Sequence, residues 1–157
     1  MNEFSFDVTG LKEQTFEKGE HVLEEGKDSQ NVFILKDGNV SVTADGNELC
    51  KANAPGTIFG EISVLLDSNH TATVTAEEQT TFYVVDDLMK YFEGNPTACL
   101  KVAQTLATRV MNMNNHFLEI KHEVKQMQED ASANKGSRLL ALVEKMDQFW
   151  GQDILKG

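Results

Sequence analysis

The residues of this chain best suited to binding chemistry lie between positions 59 and 66. The sequence Phe59-Gly60-Glu61-Ile62 opens a short apolar segment that breaks at residues 67–69. A helix that begins after Gly60 presents unpaired N–H groups and the positive end of its dipole, which attract an anion, and Gly60 allows a ligand close to the backbone. Glu61 would repel phosphate, but its carboxylate can accept a hydrogen bond from a sugar hydroxyl. The stretch therefore predicts a site for a nucleotide or a sugar phosphate.

The segment that follows extends this pattern into a family resemblance. With His70 and the run Thr71-Ala72-Thr73-Val74, the stretch resembles the phosphate-binding cassette of cyclic nucleotide-binding domains. That family includes the bacterial catabolite activator protein, the regulatory subunits of protein kinase A and cyclic-nucleotide-gated channels. The resemblance implies a cAMP or cGMP ligand whose phosphate contacts Gly60 and the N–H groups of Glu61 and Ile62. It also implies that Glu61 accepts a hydrogen bond from the ribose.

One position departs from the family pattern, which has Pro-Arg where this chain has Asn69-His70. In the family, that arginine pairs with the cyclic phosphate. Arginine offers a planar, permanently charged fork, whereas histidine offers one donor and is charged only near or below its pKa. Bound phosphate would raise that pKa, so we expect His70 to pair weakly with the ligand. The alternatives are a pocket that has lost its ligand or one that holds another anion.

Two asparagines farther along the chain complete the ligand set that the resemblance implies. In the family, polar residues at this level of a long helix cover the base, and some come from the partner subunit. Asn114 and Asn115 fit that place, with a solvated helix face as the alternative, just as a plain strand role is the alternative for Thr71. The predicted ligand-binding residues are Phe59, Gly60, Glu61, Ile62, His70, Thr71, Ala72, Asn114 and Asn115.

The elements that must position these residues begin with a series of short strands. Between residues 14 and 85, β-rich runs alternate with glycine turns, of which Asp37-Gly38 and Asp45-Gly46 are strong hairpin patterns. This spacing predicts an antiparallel sandwich or roll. The resemblance, which covers roughly residues 14–127, implies an α+β fold: an antiparallel β-roll (a double-stranded jelly roll), a long helix and a short C-terminal helix. Phe4, Phe6 and Val8 suit either a short strand or a packed arm.

Helical patterns follow the strands. Asp86-Asp87 can cap a short helix from Leu88 to Phe92, and a long helix is predicted from Thr97 to Gln128. Apolar residues recur along the long helix in alternating steps of three and four, at Ala103, Leu106, Val110, Met113, Phe117, Ile120, Val124 and Met127. This heptad seam favours a coiled coil between two copies of the chain over packing on its own roll. The family resemblance also implies a dimer formed through this helix.

We therefore divide the chain into residues 1–96 (the β-roll), 97–130 (the long helix) and 131–157 (a polar linker and an amphipathic helix from Arg138 to Trp150). The predicted function is a regulatory module that binds cAMP or cGMP and signals to a protein partner through the long helix. The alternative is a scaffold protein, not an enzyme, whose cyclic nucleotide pocket is degenerate. The sequence leaves open which nucleotide binds and which protein is the partner.

Composition argues against several other classes. The formal net charge is −11, which does not suit a duplex DNA surface, and the tail is too short for the winged helix-turn-helix of the related transcription factors. The sequence has no apolar run of about 18 residues and no signal peptide pattern, so we expect no membrane span and a cytoplasmic location. Cys50 and Cys99 match no metal-ligand spacing, and no catalytic motif is present. We expect neither a metal site nor enzyme activity.

Overall fold

The computed structural model describes residues 6–130 and 141 of the chain. The chain divides into two compact units, Met1–Gln104 and Thr105–Gly157. Phe4 and all but one residue of the predicted C-terminal helix lie outside the described residues.

The described residues contain eight strands that form two four-stranded antiparallel sheets. The strands are β1 Lys12–Phe16, β2 His21–Leu23, β3 Val32–Asp37, β4 Val40–Ala44, β5 Asn47–Ala52, β6 Ile58–Phe59, β7 Thr73–Ala76 and β8 Thr80–Val85. One sheet has the order β1-β8-β3-β6 and the other has the order β2-β7-β4-β5. This arrangement confirms the predicted antiparallel β-roll.

The core of the roll is aromatic where the first sheet faces inward. Phe82 on β8 lies edge-on to Phe16 and Phe33, with ring centroids 5.8 Å apart in both pairs, a favoured geometry for aromatic pairs. The residues of β3 from Val32 to Leu35 are all buried, and β3 has a neighbouring strand on each side.

Within residues 6–130, three helices accompany the strands: α1 Glu61–Leu66, α2 Leu88–Gly94 and α3 Pro96–Asp130. The predicted cap of α2 is confirmed, because the Asp87 side chain accepts a hydrogen bond of 3.0 Å from the Lys90 N–H. The helix α3 begins at Pro96, a residue whose fixed φ and missing N–H suit the first helical position. A long helix after the roll is therefore confirmed.

One local prediction differs from the structure, and one open alternative is decided. The β-branched run from Thr71 predicts a strand that begins there, but β7 begins at Thr73, where its pairing with β4 ends (Thr43 opposite Thr73). No strand forms over residues 6–11. Phe6 is instead a buried residue of a packed arm, and the carbonyl of Asp7 accepts a 2.6 Å hydrogen bond from the Tyr91 hydroxyl.

Candidate functional site

The turn that begins the predicted cassette can be built only with glycine. Gly60 caps α1 in the left-handed region, with φ of 86°, where a side chain is strained. A Cβ atom there would also meet the Asn31 carbonyl oxygen at 2.9 Å and Leu23 Cδ1 at 3.3 Å. The turn therefore packs directly on the residues that precede β3.

Glu61 begins α1 with its side chain inside the protein. It is only 1% exposed, which is rare for a carboxylate unless polar partners surround it. Ser63, two residues farther along, is also buried, and its hydroxyl donates a 2.9 Å hydrogen bond to the Gly60 carbonyl. The buried residues of this six-residue helix, Glu61 and Ser63, are thus polar, while Leu65 and Leu66 at its end are exposed.

His70 lies beneath the cassette with both ring nitrogens hydrogen-bonded. The residue is 5% exposed. Its Nδ1 lies 2.7 Å from Ser63 Oγ and its Nε2 lies 3.0 Å from Ser29 Oγ. We call Ser29, His70, Ser63 and the Gly60 carbonyl the His70 network. This network connects two loops that are distant in the sequence.

The backbone reinforces the connection. The Gly26 N–H donates a 2.8 Å hydrogen bond to the His70 carbonyl, and the His70 N–H donates a 2.9 Å bond to the Lys27 carbonyl. The Glu25 N–H donates to Thr73 Oγ1 at 3.0 Å. The loop between β2 and β3 is thus fastened to the segment that leads into β7.

A cavity of about 150 Å³ opens beside the His70 network. It is lined by residues 21–24 and 27–29 together with His70. Its charged lining residues are mixed in sign: Lys27 Nζ pairs with Glu24 at 2.7 Å, and Asp28 adds a second carboxylate. The cavity walls therefore carry no excess of positive charge.

The surroundings of His70 favour its neutral form. Burial lowers the pKa of the His70 imidazole below its usual value, and the negative charge of Asp28 acts in the opposite direction. Among the described residues, no group of three or more histidine, cysteine, aspartate or glutamate side chains could hold a metal ion.

The structure brings most of the predicted ligand residues together and separates two of them along the chain. Phe59 is a core residue whose ring lies 6.1 Å from that of Phe82. Gly60, Glu61 and His70 share the turn described above, whereas Ile62 and Thr71 are exposed and Ala72 is half-buried. Asn114 and Asn115 lie on α3 in the second unit, the first half-buried and the second exposed. Their role in the site stays a prediction.

Sequence reasoning did not find Ser29, Ser63 or the Asn31 carbonyl. Ser63 carries a local indication, since a serine in the first turn of a helix can bond the carbonyl three residues earlier. Ser29 carries none, because it lies 41 residues from the histidine that it contacts. Only the tertiary fold brings those two side chains together.

This geometry agrees with comparisons to known proteins. The family model described as the cyclic nucleotide-binding domain matches residues 13–93, which is more than half of the chain. The chain belongs to the cyclic nucleotide-binding domain family. The match includes the whole of the cassette, from Phe59 to Thr71, and ends within α2.

Curated proteins with related cyclic nucleotide-binding domains include much larger kinases. The chain is 30% identical to a cGMP-dependent protein kinase of Eimeria tenella over 111 residues, which are 71% of this chain and 9% of that protein. It is 30% identical to mouse cGMP-dependent protein kinase 2 over 102 residues, with 54% of this chain and 13% of that protein covered. The chain thus spans about a tenth of the length of these relatives.

Solved structures of the family share the fold. PKAR CBD2 with bound Sp-2Cl-cAMPS aligns with a TM-score of 0.56 at 25% identity, over 70% of this chain and 71% of that one. The catabolite activator protein of Thermus thermophilus aligns with a TM-score of 0.64 at 20% identity, over 91% of this chain and 78% of that one. In residues 6–130, no helix has both the length and the apolar character needed to cross a membrane.

Proposed function

We propose that this cyclic nucleotide-binding domain binds cAMP or cGMP at residues 59–72 and regulates a protein partner through α3. The observation that carries the proposal is the family match over residues 13–93, which includes the Gly60 turn and the buried Glu61. The names of similar proteins point to both nucleotides, since the Eimeria relative is a cGMP-dependent kinase and PKAR CBD2 holds a cAMP analogue.

The cassette gives each part of the ligand a distinct partner. The phosphate lies against Gly60 and the first N–H groups of α1, where the absence of a Cβ allows close approach. A 3′,5′-cyclic nucleotide has a single free ribose hydroxyl, at the 2′ position, and Glu61 accepts its hydrogen bond. Because Glu61 is 1% exposed, the groups that cover it must move when the ligand binds. His70 either pairs with the phosphate or positions the turn.

The same proposal includes a homodimer formed through α3. The seam defined by alternating steps of three and four residues contains exposed apolar side chains, with Val110 49% exposed and Ile120 53% exposed. Apolar side chains at such spacing are stabilised when a second helix covers them. A ligand that alters the position of α3 would thereby change the affinity of the dimer for its partner.

A scaffold with a degenerate pocket is the second candidate, and one observation favours it. The residue at the position of the family's phosphate-binding arginine is buried, and both of its ring nitrogens bond to serines. In that case the fold presents interaction surfaces and binds no nucleotide.

Thermal unfolding with added nucleotide separates the two candidates. A ligand present at a hundred times its dissociation constant stabilises the folded state by about 2.7 kcal/mol. We therefore expect cAMP or cGMP to raise the Tm, while 5′-AMP and 5′-GMP, which lack the cyclic phosphate, leave it nearly unchanged. An unchanged Tm with millimolar cAMP and cGMP would support the scaffold and overturn the proposed nucleotide binding.

A further inference from the structure

We propose that His70 is a positioning residue, which holds the Gly60 turn through its neutral imidazole and makes no direct bond to the phosphate. The proposal rests on the proposed cyclic nucleotide binding for its effect on affinity. It assigns to Ser29, which no family motif identifies, the role of fixing the ring.

The hydrogen bonds of the network define one tautomer. Ser63 has a single hydroxyl hydrogen, which it donates to the Gly60 carbonyl at 2.9 Å. Its oxygen must therefore accept the 2.7 Å bond from His70, which places the imidazole hydrogen on Nδ1. The unprotonated Nε2 then accepts the 3.0 Å bond from the Ser29 hydroxyl. With a neutral imidazole, the hydrogen bonds of the His70 network thus run in one direction, from Ser29 through His70 and Ser63 to the Gly60 carbonyl.

The network joins the two segments on which the turn depends. Ser29 belongs to the loop between β2 and β3, and the Asn31 carbonyl in the same loop lies directly against Gly60. His70 is fixed to that loop by its own backbone through Gly26 and Lys27. A change at the ring is therefore transmitted to both sides of the turn that would receive the phosphate.

This arrangement leaves the neutral ring no hydrogen to offer a phosphate. Its only N–H donates to Ser63, and its Nε2 is an acceptor, which would repel a phosphate oxygen. Pairing with phosphate would require either the loss of the Ser63 bond or a second proton. A proton on Nε2 removes the acceptor that Ser29 uses, so the Ser29 hydroxyl must rotate until its oxygen accepts from Nε2, and its own hydrogen then needs a new acceptor.

The charged groups around the His70 ring do not stabilise its protonated form enough to favour it. Asp28 and the Glu24–Lys27 pair line the cavity beside His70, together with His21 from β2, while the helix that bears Ser63 contributes the buried Glu61. Burial disfavours the imidazolium more than Asp28 favours it, so the pKa of His70 lies below its usual value. Protonation of His70 therefore reverses its bond to Ser29 and places a positive charge in surroundings that disfavour it.

The two roles of His70 predict opposite effects of pH. A phosphate ligand would bind more tightly as His70 gains charge, so affinity would rise as the pH falls. A positioning residue acts in its neutral form, so affinity should fall when protonation reverses the bond to Ser29, by at most about three- to tenfold, the effect of losing one ordinary hydrogen bond. Calorimetry with cAMP and cGMP at pH 7.5 and 5.5 measures the sign directly.

The experiment compares four proteins, each with the full chain: wild type, His21→Gln, and His21→Gln combined with either Ser29→Ala or Ser29→Thr. His21→Gln removes an exposed histidine of the same cavity and provides a background in which His70 is the remaining histidine of the cavity lining. In that background Ser29→Ala removes the donor to Nε2, and Ser29→Thr restores a hydroxyl. We expect Ser29→Ala to weaken binding at pH 7.5 by about three- to tenfold and Ser29→Thr to recover most of it.

Nuclear magnetic resonance supplies a readout that needs no ligand. We expect nitrogen-15 spectra to show the hydrogen of His70 on Nδ1. The Gly60 and Glu61 amide signals should move with the titration of His70 and again in Ser29→Ala, but much less in Ser29→Thr. A proton on Nε2 at neutral pH, Gly60 signals indifferent to Ser29→Ala, or an affinity that rises as the pH falls would each overturn the positioning role. If wild type binds neither nucleotide, the proposed function fails, and the nitrogen-15 and Gly60 signals still decide the role of His70.

Discussion

Ser63 Oγ lies 2.7 Å from Nδ1 of His70, and this contact joins the first turn of α1 to the end of the loop that follows it. Both residues are buried, in a protein whose surface is otherwise rich in charge. A six-residue helix has little stability of its own. The bond to His70 and the bond from Ser63 to Gly60 therefore supply side-chain restraints that fix α1 and its N-terminal turn.

The Gly60 turn provides the most direct stability test. Gly60→Ala places a side chain in the left-handed region, which costs about 1–2 kcal/mol, and also brings Cβ within 2.9 Å of the Asn31 carbonyl oxygen. Gly19→Ala is a matched control, because Gly19 has φ of 88° and nothing within 4 Å of the added Cβ. Urea denaturation should show a larger loss in the free energy of unfolding for Gly60→Ala. Equal losses would mean that the loop before β3 yields easily.

The stability of the free protein should fall as the pH is lowered through the titration range of His70. The pKa of the buried imidazole lies below its value in the unfolded chain, which is about 6.5. Between these two values the unfolded state binds more protons, so the free energy of unfolding is largest above pH 6.5 and decreases as the pH falls toward the folded-state pKa. Urea denaturation at pH 7.5 and 5.5 measures the decrease.

Two variants assign that pH dependence to a residue. His70→Gln should lose less stability than wild type between pH 7.5 and 5.5, although its stability at pH 7.5 is lower. His21→Gln changes an exposed histidine and should follow wild type. If His70→Gln and wild type show the same pH dependence, other groups must account for it.

A structural feature of this protein can be predicted from its sequence when the residues that determine the feature are close together in the sequence. The cap at Asp87 and the turn at Asp45-Gly46 are set by neighbouring residues, and both were predicted correctly. The role of Phe6 was left open, because burial of a short arm depends on the surface that it meets. The environment of His70 could not be predicted, since Ser29 becomes its neighbour only when two distant loops pack.

The proposed dimer can be tested by placing one charge on the seam of α3. Val110→Asp would bury a carboxylate without a partner in the coiled coil, at a cost of several kcal/mol of dimer stability. Met111→Asp is the control, because Met111 is exposed on the same turn but lies outside the seam. Light scattering should detect a dimer for wild type and Met111→Asp and a monomer for Val110→Asp. A dimer that survives Val110→Asp, or a monomeric wild type, would contradict the coiled coil.

Glu61 can be tested against the one ligand group that it is proposed to contact. Glu61→Gln keeps the shape of the side chain but removes its charge, so the hydrogen bond from the 2′-hydroxyl weakens and affinity for cAMP or cGMP should fall about tenfold. Glu93→Gln, an exposed change on α2, should have no effect. The 2′-deoxy nucleotide completes a double-mutant cycle. Wild type should lose about as much affinity on removal of the hydroxyl as on substitution of Glu61, while Glu61→Gln should hardly distinguish the two ligands. If the losses of binding free energy from Glu61→Gln and from removal of the 2′-hydroxyl are instead fully additive, Glu61 does not contact the ribose hydroxyl, and its burial serves the fold of α1 alone.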